Sequence, residues 1–172
     1  MEFNFNVGDT NFIALVNPNN YKTFVDENWN LNMLKEHFIN QSKENNILVC
    51  QMTNEGIEDD WRIKINLEDS YCAETYFRKD EGYIYVDTEE LCLVEYTCLT
   101  MAAQFEDEKV PDKYCDKFRF NIQNGLYKVE IIQYYDVDKD KHYGTNDIDI
   151  EFKFTKVLKC KEIEHKVFWC NI

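Results

Sequence analysis

Alternation of apolar and polar residues is the feature that most constrains how this chain can fold. It is clearest in residues 61–67, WRIKINL, where odd positions are apolar and even positions are polar. The pattern recurs in residues 118–122, 127–131 and 147–154. Successive side chains of a β-strand point to opposite faces, so each segment is predicted to be a strand with one buried and one solvated face. Strands of this kind are typical of antiparallel sheets.

Further apolar runs are predicted to be strands, several of them central because both of their faces are apolar. They are residues 3–7, 12–16, 47–52, 71–77, 83–86 and 166–170. Asn124-Gly125 is predicted to form a hairpin turn, because both residues tolerate the positive φ of a type I′ turn and alternating segments flank them. Asp80-Glu81-Gly82 is predicted to be a second turn, between strands that end at Phe77 and begin at Tyr83.

One segment has helical rather than strand spacing. Leu31, Leu34, Phe38 and Ile39 recur at intervals of three and four residues after an acidic first turn, which predicts an amphipathic helix over residues 29–43. Residues 91–105 fit both a helical seam and a strand. A strand through Cys98 is favoured, because β-formers are frequent there and the acidic run after Phe105 would be unfavourable at a helix C-terminus. Residues 106–116 are predicted to form an exposed acidic loop.

The predicted fold is therefore mainly β, a β-rich α+β fold. We expect an antiparallel sandwich or a strongly twisted sheet, with one amphipathic helix near residues 29–43. The length of 172 residues and the 44% hydrophobic content suit a single domain over residues 1–172 with a substantial core.

The cysteines and the absence of targeting patterns predict a cytoplasmic location. Seven cysteines are an odd number for a disulfide framework, and no CxxC pair supports a zinc ribbon or a thioredoxin-type site. The sequence contains neither a signal-peptide pattern nor an apolar run of the roughly 18 residues that a membrane span needs.

The formal net charge of −14 disfavours direct binding to nucleic acids or to anionic membranes, whose phosphates would be repelled. Residues 1–116 carry 24 acidic and 9 basic side chains, a balance of −15, whereas residues 117–172 carry 9 and 10, a balance of +1. The densest acidic clusters fall mostly in predicted turns, so we expect them to contact a basic protein partner. The partner-binding candidates are Glu55, Glu58, Asp59, Asp60, Asp80, Glu81, Glu89, Glu90, Glu106, Asp107 and Glu108.

Motifs that would indicate catalysis or a cofactor are missing from the sequence. No phosphate-binding glycine loop, serine elbow or paired histidine motif is present, and we predict no cofactor and no metal. Asp136, Asp138 and Asp140 resemble the start of a calcium loop, but Lys141 stands where an EF-hand needs glycine. A calcium site on these three residues is therefore only an alternative.

These observations favour a binding protein over an enzyme. The leading hypothesis is a non-catalytic acidic protein, an inhibitor or immunity-type protein that neutralises a basic partner such as a nuclease. The first alternative is a β-sandwich module that binds a carbohydrate or calcium, and the second is a small enzyme that uses paired carboxylates. Acidity that serves only solubility is the simplest competing explanation.

Overall fold

A computed structural model describes residues 1–68, 75–144 and 147–170 of the protein. In chain order its strands are β1 (Glu2–Phe5), β2 (Phe12–Val16), β3 (Ile47–Gln51), β4 (Trp61–Asn66), β5 (Arg78–Val86), β6 (Glu90–Glu95), β7 (Arg119–Asn121), β8 (Gly125–Gln133), β9 (Tyr135–Asp136), β10 (Lys141–His142) and β11 (Ile150–Val157). The helices are α1 (Leu31–Lys43) and α2 (Tyr96–Gln104), and two short 3₁₀ helices cover Asp116–Phe118 and Val137–Lys139.

The strands form two principal sheets. The first has five strands in the order β1-β4-β11-β8-β5, and the second has four in the order β3-β2-β6-β7. Their neighbours are antiparallel, except for the parallel pair β4 and β11. Strands β9 and β10 form a separate small hairpin.

Residues from both sheets form one hydrophobic core. Trp61, Ile63 and Ile65 of β4 are buried, whereas Arg62 is exposed and Lys64 is half-buried, as the alternation predicts. Aromatic rings connect the sheets at one edge, where the rings of Phe120 in β7 and Phe154 in β11 lie 5.9 Å apart. The prediction of a mainly β, α+β fold is confirmed.

The helix predicted near residues 29–43 is α1, which begins two residues later. Asn30 is its N-cap: the side-chain oxygen accepts a hydrogen bond from the backbone N–H of Met33, at 3.0 Å. Leu34 and Phe38 are buried on the face that packs against β3. Of the four residues whose spacing predicted the helix, these two are therefore buried, whereas Leu31 is 37% exposed and Ile39 is half-buried.

The predicted strand through Cys98 is wrong, and the fold has two helices rather than one. Strand β6 ends at Glu95, whose side chain caps α2 by accepting hydrogen bonds from the N–H groups of Thr97 and Cys98. Phe105 is already extended, so the acidic run at residues 106–108 begins after the helix has ended. The helical seam was the correct alternative.

Both predicted turns are also wrong. Strand β7 belongs to the second sheet and β8 to the first, so Asn124-Gly125 lies on a crossing between sheets rather than in a hairpin. Asp80-Glu81-Gly82 lies inside the continuous strand β5. Gly82 leaves room there for the Leu48 side chain of β3: a Cβ at this position would lie 2.5 Å from Cδ2 of Leu48, which would have to shift.

Two further strand predictions have different outcomes. Residues 166–170 form no strand, but Phe168 makes an isolated bridge with Cys50 and so covers the edge of β3. In the predicted strand 71–77, residues 71–74 lie outside the described residues, and Thr75–Phe77 precede β5 without strand structure. Within the described ranges, no helix is long and apolar enough to cross a membrane.

Candidate functional site

A cavity of about 860 Å³ opens between the first turns of α2 and the loop that follows this helix. We call it the α2 cavity. Its lining comes from the β1–β2 connection, from the β6–α2 junction and from the loop. The lining residues are Val7, Gly8, Glu95, Thr97, Cys98, Met101, Asp107, Glu108, Lys109, Pro111, Asp112, Lys113 and Tyr114.

Glu95 fixes the inner wall of the α2 cavity. Its carboxylate is buried and accepts hydrogen bonds from the backbone N–H groups of Asp9, Thr97 and Cys98, at 2.9, 2.6 and 2.9 Å. Burial raises the pKa of Glu95 even though these hydrogen bonds act to lower it. Gly8 has a φ of +57°, and a Cβ there would lie 2.4 Å from the carboxyl carbon of Glu95, so glycine is required at this close approach.

The mouth of the α2 cavity combines apolar surface with carboxylates. Met101 and Tyr114 are 42% and 59% exposed, which leaves two large side chains in contact with water. Asp107 and Glu108 are exposed beside them. Two lysines, Lys109 and Lys113, also line the cavity, and the ammonium of Lys113 lies 4.8 Å from the centre of the Tyr114 ring.

The structure brings the 55–60 segment close to this cavity. The hydroxyl of Thr10 donates to the carbonyl of Asp59 at 2.7 Å and accepts from its N–H at 3.0 Å. Gly8, two residues earlier, lines the cavity. Glu55, Glu58 and Asp60 are exposed in this segment. The β1–β2 connection therefore links the cavity to the segment that holds the first acidic cluster.

Asp138 anchors the 53–55 turn, which leads into the 55–60 segment, and no motif in the sequence indicates this role. Its carboxylate accepts hydrogen bonds from the Thr53 hydroxyl and from the backbone N–H groups of Asn54 and Glu55. Burial acts to raise the pKa of Asp138, but these hydrogen bonds and the charge of Arg78 lower it below its ordinary value.

The alternative calcium ligands have separate partners. The Asp136 carboxylate forms an ion pair with Lys139 at 3.1 Å, and the Asp140 carboxylate accepts a hydrogen bond from the Tyr135 hydroxyl at 2.9 Å. Asp138 faces the 53–55 turn, as described above. In the described part of the chain, these three carboxylates do not form a group that could hold one metal ion.

The remaining acidic candidates lie elsewhere. The carboxylates of Asp80 and Glu81 in β5 and of Glu90 in β6 face basic groups of this same chain; the pairs are Asp80 with Lys166, Glu81 with Lys128, and Glu90 with Arg119. Glu89 and Glu90 lie where β6 begins, whereas the α2 cavity lies where β6 ends. The acidic candidates are therefore not all on one surface.

Two buried carboxylates are the natural candidates if the chain were an enzyme that uses paired carboxylates, but both have structural partners. Asp149 accepts the backbone N–H of Arg62 at 2.7 Å, and burial raises the pKa of Asp149. Glu151 accepts hydrogen bonds from the amide of Asn66 at 2.7 Å and from the hydroxyl of Tyr134 at 3.0 Å. Neither carboxylate lines the α2 cavity.

A cluster of metal-ligating groups borders the α2 cavity. The Sγ atoms of Cys98 and Cys115 and a carboxylate oxygen of Asp112 lie within 4.8 Å of one another. Both cysteines are buried, and Asp112 is half-buried. The spacing 98, 112 and 115 matches none of the motifs considered in the sequence, so only the fold brings these residues together.

Comparison with known proteins gives a fold and no family. No protein-family model matches the chain, and no curated protein matches its sequence. The chain is similar in structure to a solved protein named "Crocagin biosynthetic gene J", with a TM-score of 0.56 and 8% sequence identity. The similarity covers 90% of this chain and 93% of that one. At this identity the likeness shows a shared fold alone.

Proposed function

We propose that this chain is a non-catalytic acidic binding protein that neutralises a basic protein partner, such as a nuclease, as an inhibitor or immunity-type protein does. The observation that carries the proposal is the α2 cavity, where exposed apolar side chains adjoin Asp107 and Glu108. We place this binding in the cytoplasm, as the odd number of cysteines predicts.

The chemistry of the cavity indicates what it would bind. Apolar lining such as Val7, Met101 and Pro111 favours an apolar side chain of the partner. Carboxylates at the rim favour lysine or arginine beside that side chain and would accelerate the encounter. The expected ligand is therefore a cationic protein segment with an apolar anchor.

The 55–60 segment extends the proposed surface. Glu55, Glu58 and Asp60 are exposed, and Ile57 between them is 42% exposed, which repeats the apolar-acidic combination of the cavity. Asp80, Glu81 and Glu90 contribute less under this proposal, because ion pairs within the chain already offset their charges.

The test is binding of a labelled peptide rich in lysine and arginine with one central phenylalanine, followed by fluorescence anisotropy. We expect affinity to fall at high salt and to fall again when the phenylalanine is replaced by glycine. Asp107→Lys combined with Glu108→Lys is expected to weaken binding about tenfold, or about 1.4 kcal/mol.

The matched control is Glu36→Lys combined with Glu44→Lys, which changes the net charge equally on and just after α1, where both residues are exposed. We expect the control to bind much more tightly than the cavity variant. Equal losses in both double variants, or binding that does not respond to salt or to the phenylalanine, would contradict the proposal.

A further inference from the structure

We propose that Cys98, Asp112 and Cys115 form a binding site for one thiophilic divalent cation, and that Zn²⁺ is the ion that suits it best. A site of two thiolates and one carboxylate selects soft or borderline cations such as Zn²⁺ over Ca²⁺ or Mg²⁺, which prefer oxygen ligands. The proposal stands apart from the charge-dependent binding above, because it concerns the inner wall of the cavity rather than its rim.

The distances suit a single ion. Ligand atoms that share a tetrahedral zinc ion at about 2.0–2.3 Å from the metal lie roughly 3–4 Å from one another. The three atoms here are within 4.8 Å of one another, so small side-chain rotations would bring them to bonding distance. Cys98 lies in the first turn of α2, and the other two residues lie in the loop that closes over it.

A backbone N–H group already points at one of the ligands. The N–H of Asp112 donates to Sγ of Cys98 at 3.4 Å. Such hydrogen bonds stabilise metal-bound thiolates.

The Asp112 side chain is oriented by the loop. Its Oδ1 accepts hydrogen bonds from the backbone N–H groups of Tyr114 and Cys115, at 3.0 and 2.8 Å. In the described ranges no hydrogen bond uses its other oxygen, Oδ2. Asp112 can therefore hold the turn with one oxygen and bind a cation with the other.

Cys98 and Asp112 also line the α2 cavity, so the fourth coordination position would be open to it. Water or a ligand donor would occupy that position. Binding forms two sulfur–metal bonds and breaks two S–H bonds, and both protons leave to solvent. No oxidant or reductant is involved.

The experiment titrates the full chain with Co²⁺ under a phosphine reductant that is a poor metal ligand. We expect one equivalent to produce thiolate-to-cobalt charge-transfer absorption and the visible bands of a four-coordinate site, and Zn²⁺ to remove both. Asp112→Asn keeps an oxygen for the turn but loses the anionic ligand, and it should weaken Zn²⁺ binding about tenfold or more.

Two controls separate ligand loss from general damage. Asp107→Asn makes the same chemical change in the same loop, and Cys50→Ser removes a buried thiol on β3; both should retain the cobalt spectrum. If Cys98→Ser or Cys115→Ser fails to fold, the rate at which each cysteine of the unaltered protein is alkylated, with and without Zn²⁺, tests the site instead. There Zn²⁺ should protect Cys98 and Cys115 and leave the exposed Cys160 reactive.

Absence of the charge-transfer band at one equivalent would overturn the proposal. So would a band that persists unchanged in Cys98→Ser or Cys115→Ser, or alkylation of Cys98 and Cys115 at the same rate with and without Zn²⁺.

Discussion

Single carboxylates organise this protein in ways that a charge count does not reveal. Glu95 caps α2 and accepts the N–H of Asp9, 86 positions away in the sequence. Asp138 accepts the N–H groups of Asn54 and Glu55. Both residues count toward the net charge of −14, yet their charge is directed inward at backbone donors. The sequence could show that carboxylates are abundant but not which of them are already bound.

His37 gives a prediction about pH. Burial lowers the pKa of His37 below its ordinary value, although the hydrogen bond between its Nε2 and the Lys22 carbonyl, at 2.6 Å, opposes this. The unfolded chain therefore binds a proton more readily than the folded chain. The stability contributed by this residue is present above the ordinary pKa of about 6.5 and is lost as pH falls below it.

Urea denaturation at about pH 7.5 and about pH 5.5 checks this effect. We expect the free energy of unfolding to fall more steeply with decreasing pH in the unaltered protein than in His37→Gln. His142 and His165 are present in both proteins and cancel in the comparison. Identical pH slopes would show that His37 titrates alike in the folded and unfolded chains.

Elements whose apolar residues recur at the regular spacing of a strand or helix were predicted well. Elements that depend on contacts between residues far apart in the sequence were not. Strand β4 follows its alternation, and α1 follows its helical spacing. The local sequence around Asn124-Gly125 suits a hairpin, but β7 and β8 pair with strands of different sheets. Helix α2 begins directly after strand β6, so residues 91–105 contain the apolar residues of a strand followed by those of a helix. The sequence pattern alone did not show where one ends and the other begins.

Arg78 joins several elements at one end of β5. Its Nη2 donates to the carbonyls of Gln51 and Met52, at 2.9 and 3.0 Å, and its Nε donates to the Gln133 side chain at 2.6 Å. The guanidinium carbon also lies 4.4 Å from the centre of the Trp169 ring. Arg78 therefore connects β3, β5, β8 and the C-terminal segment.

Arg78→Lys is expected to lower the free energy of unfolding by about 1.5–3 kcal/mol. Lysine cannot reproduce the planar fork that reaches all three acceptors and lies against the indole ring. Arg62→Lys makes the same change at an exposed site on β4, where ion-pair distances are 3.6 and 3.8 Å, and should shift stability by less than about 0.5 kcal/mol. Equal urea midpoints for both variants would contradict the role of Arg78.

For the whole molecule, the uneven charge found in the sequence has a structural counterpart. Basic residues of the last third, such as Lys128 and Lys166, pair with Glu81 and Asp80 of β5. The sequence predicted an exposed acidic loop over residues 106–116, but Val110, Pro111 and Cys115 in it are buried. The cavity beside this loop was not predicted, because Val7 and Tyr114 come together only in the folded chain. The cysteine-aspartate cluster escaped prediction for the same reason.

The most direct measurement is the change in backbone amide NMR shifts of the ¹⁵N-labelled protein as the phenylalanine-containing cationic peptide is added. If the α2 cavity is the binding site, the largest changes will fall on its lining, at Gly8, Thr97, Met101 and Tyr114. The 55–60 segment should show smaller changes, and the solvent-facing side of α1 should show none. Largest changes on α1 or along β5, with the cavity amides unmoved, would contradict this assignment.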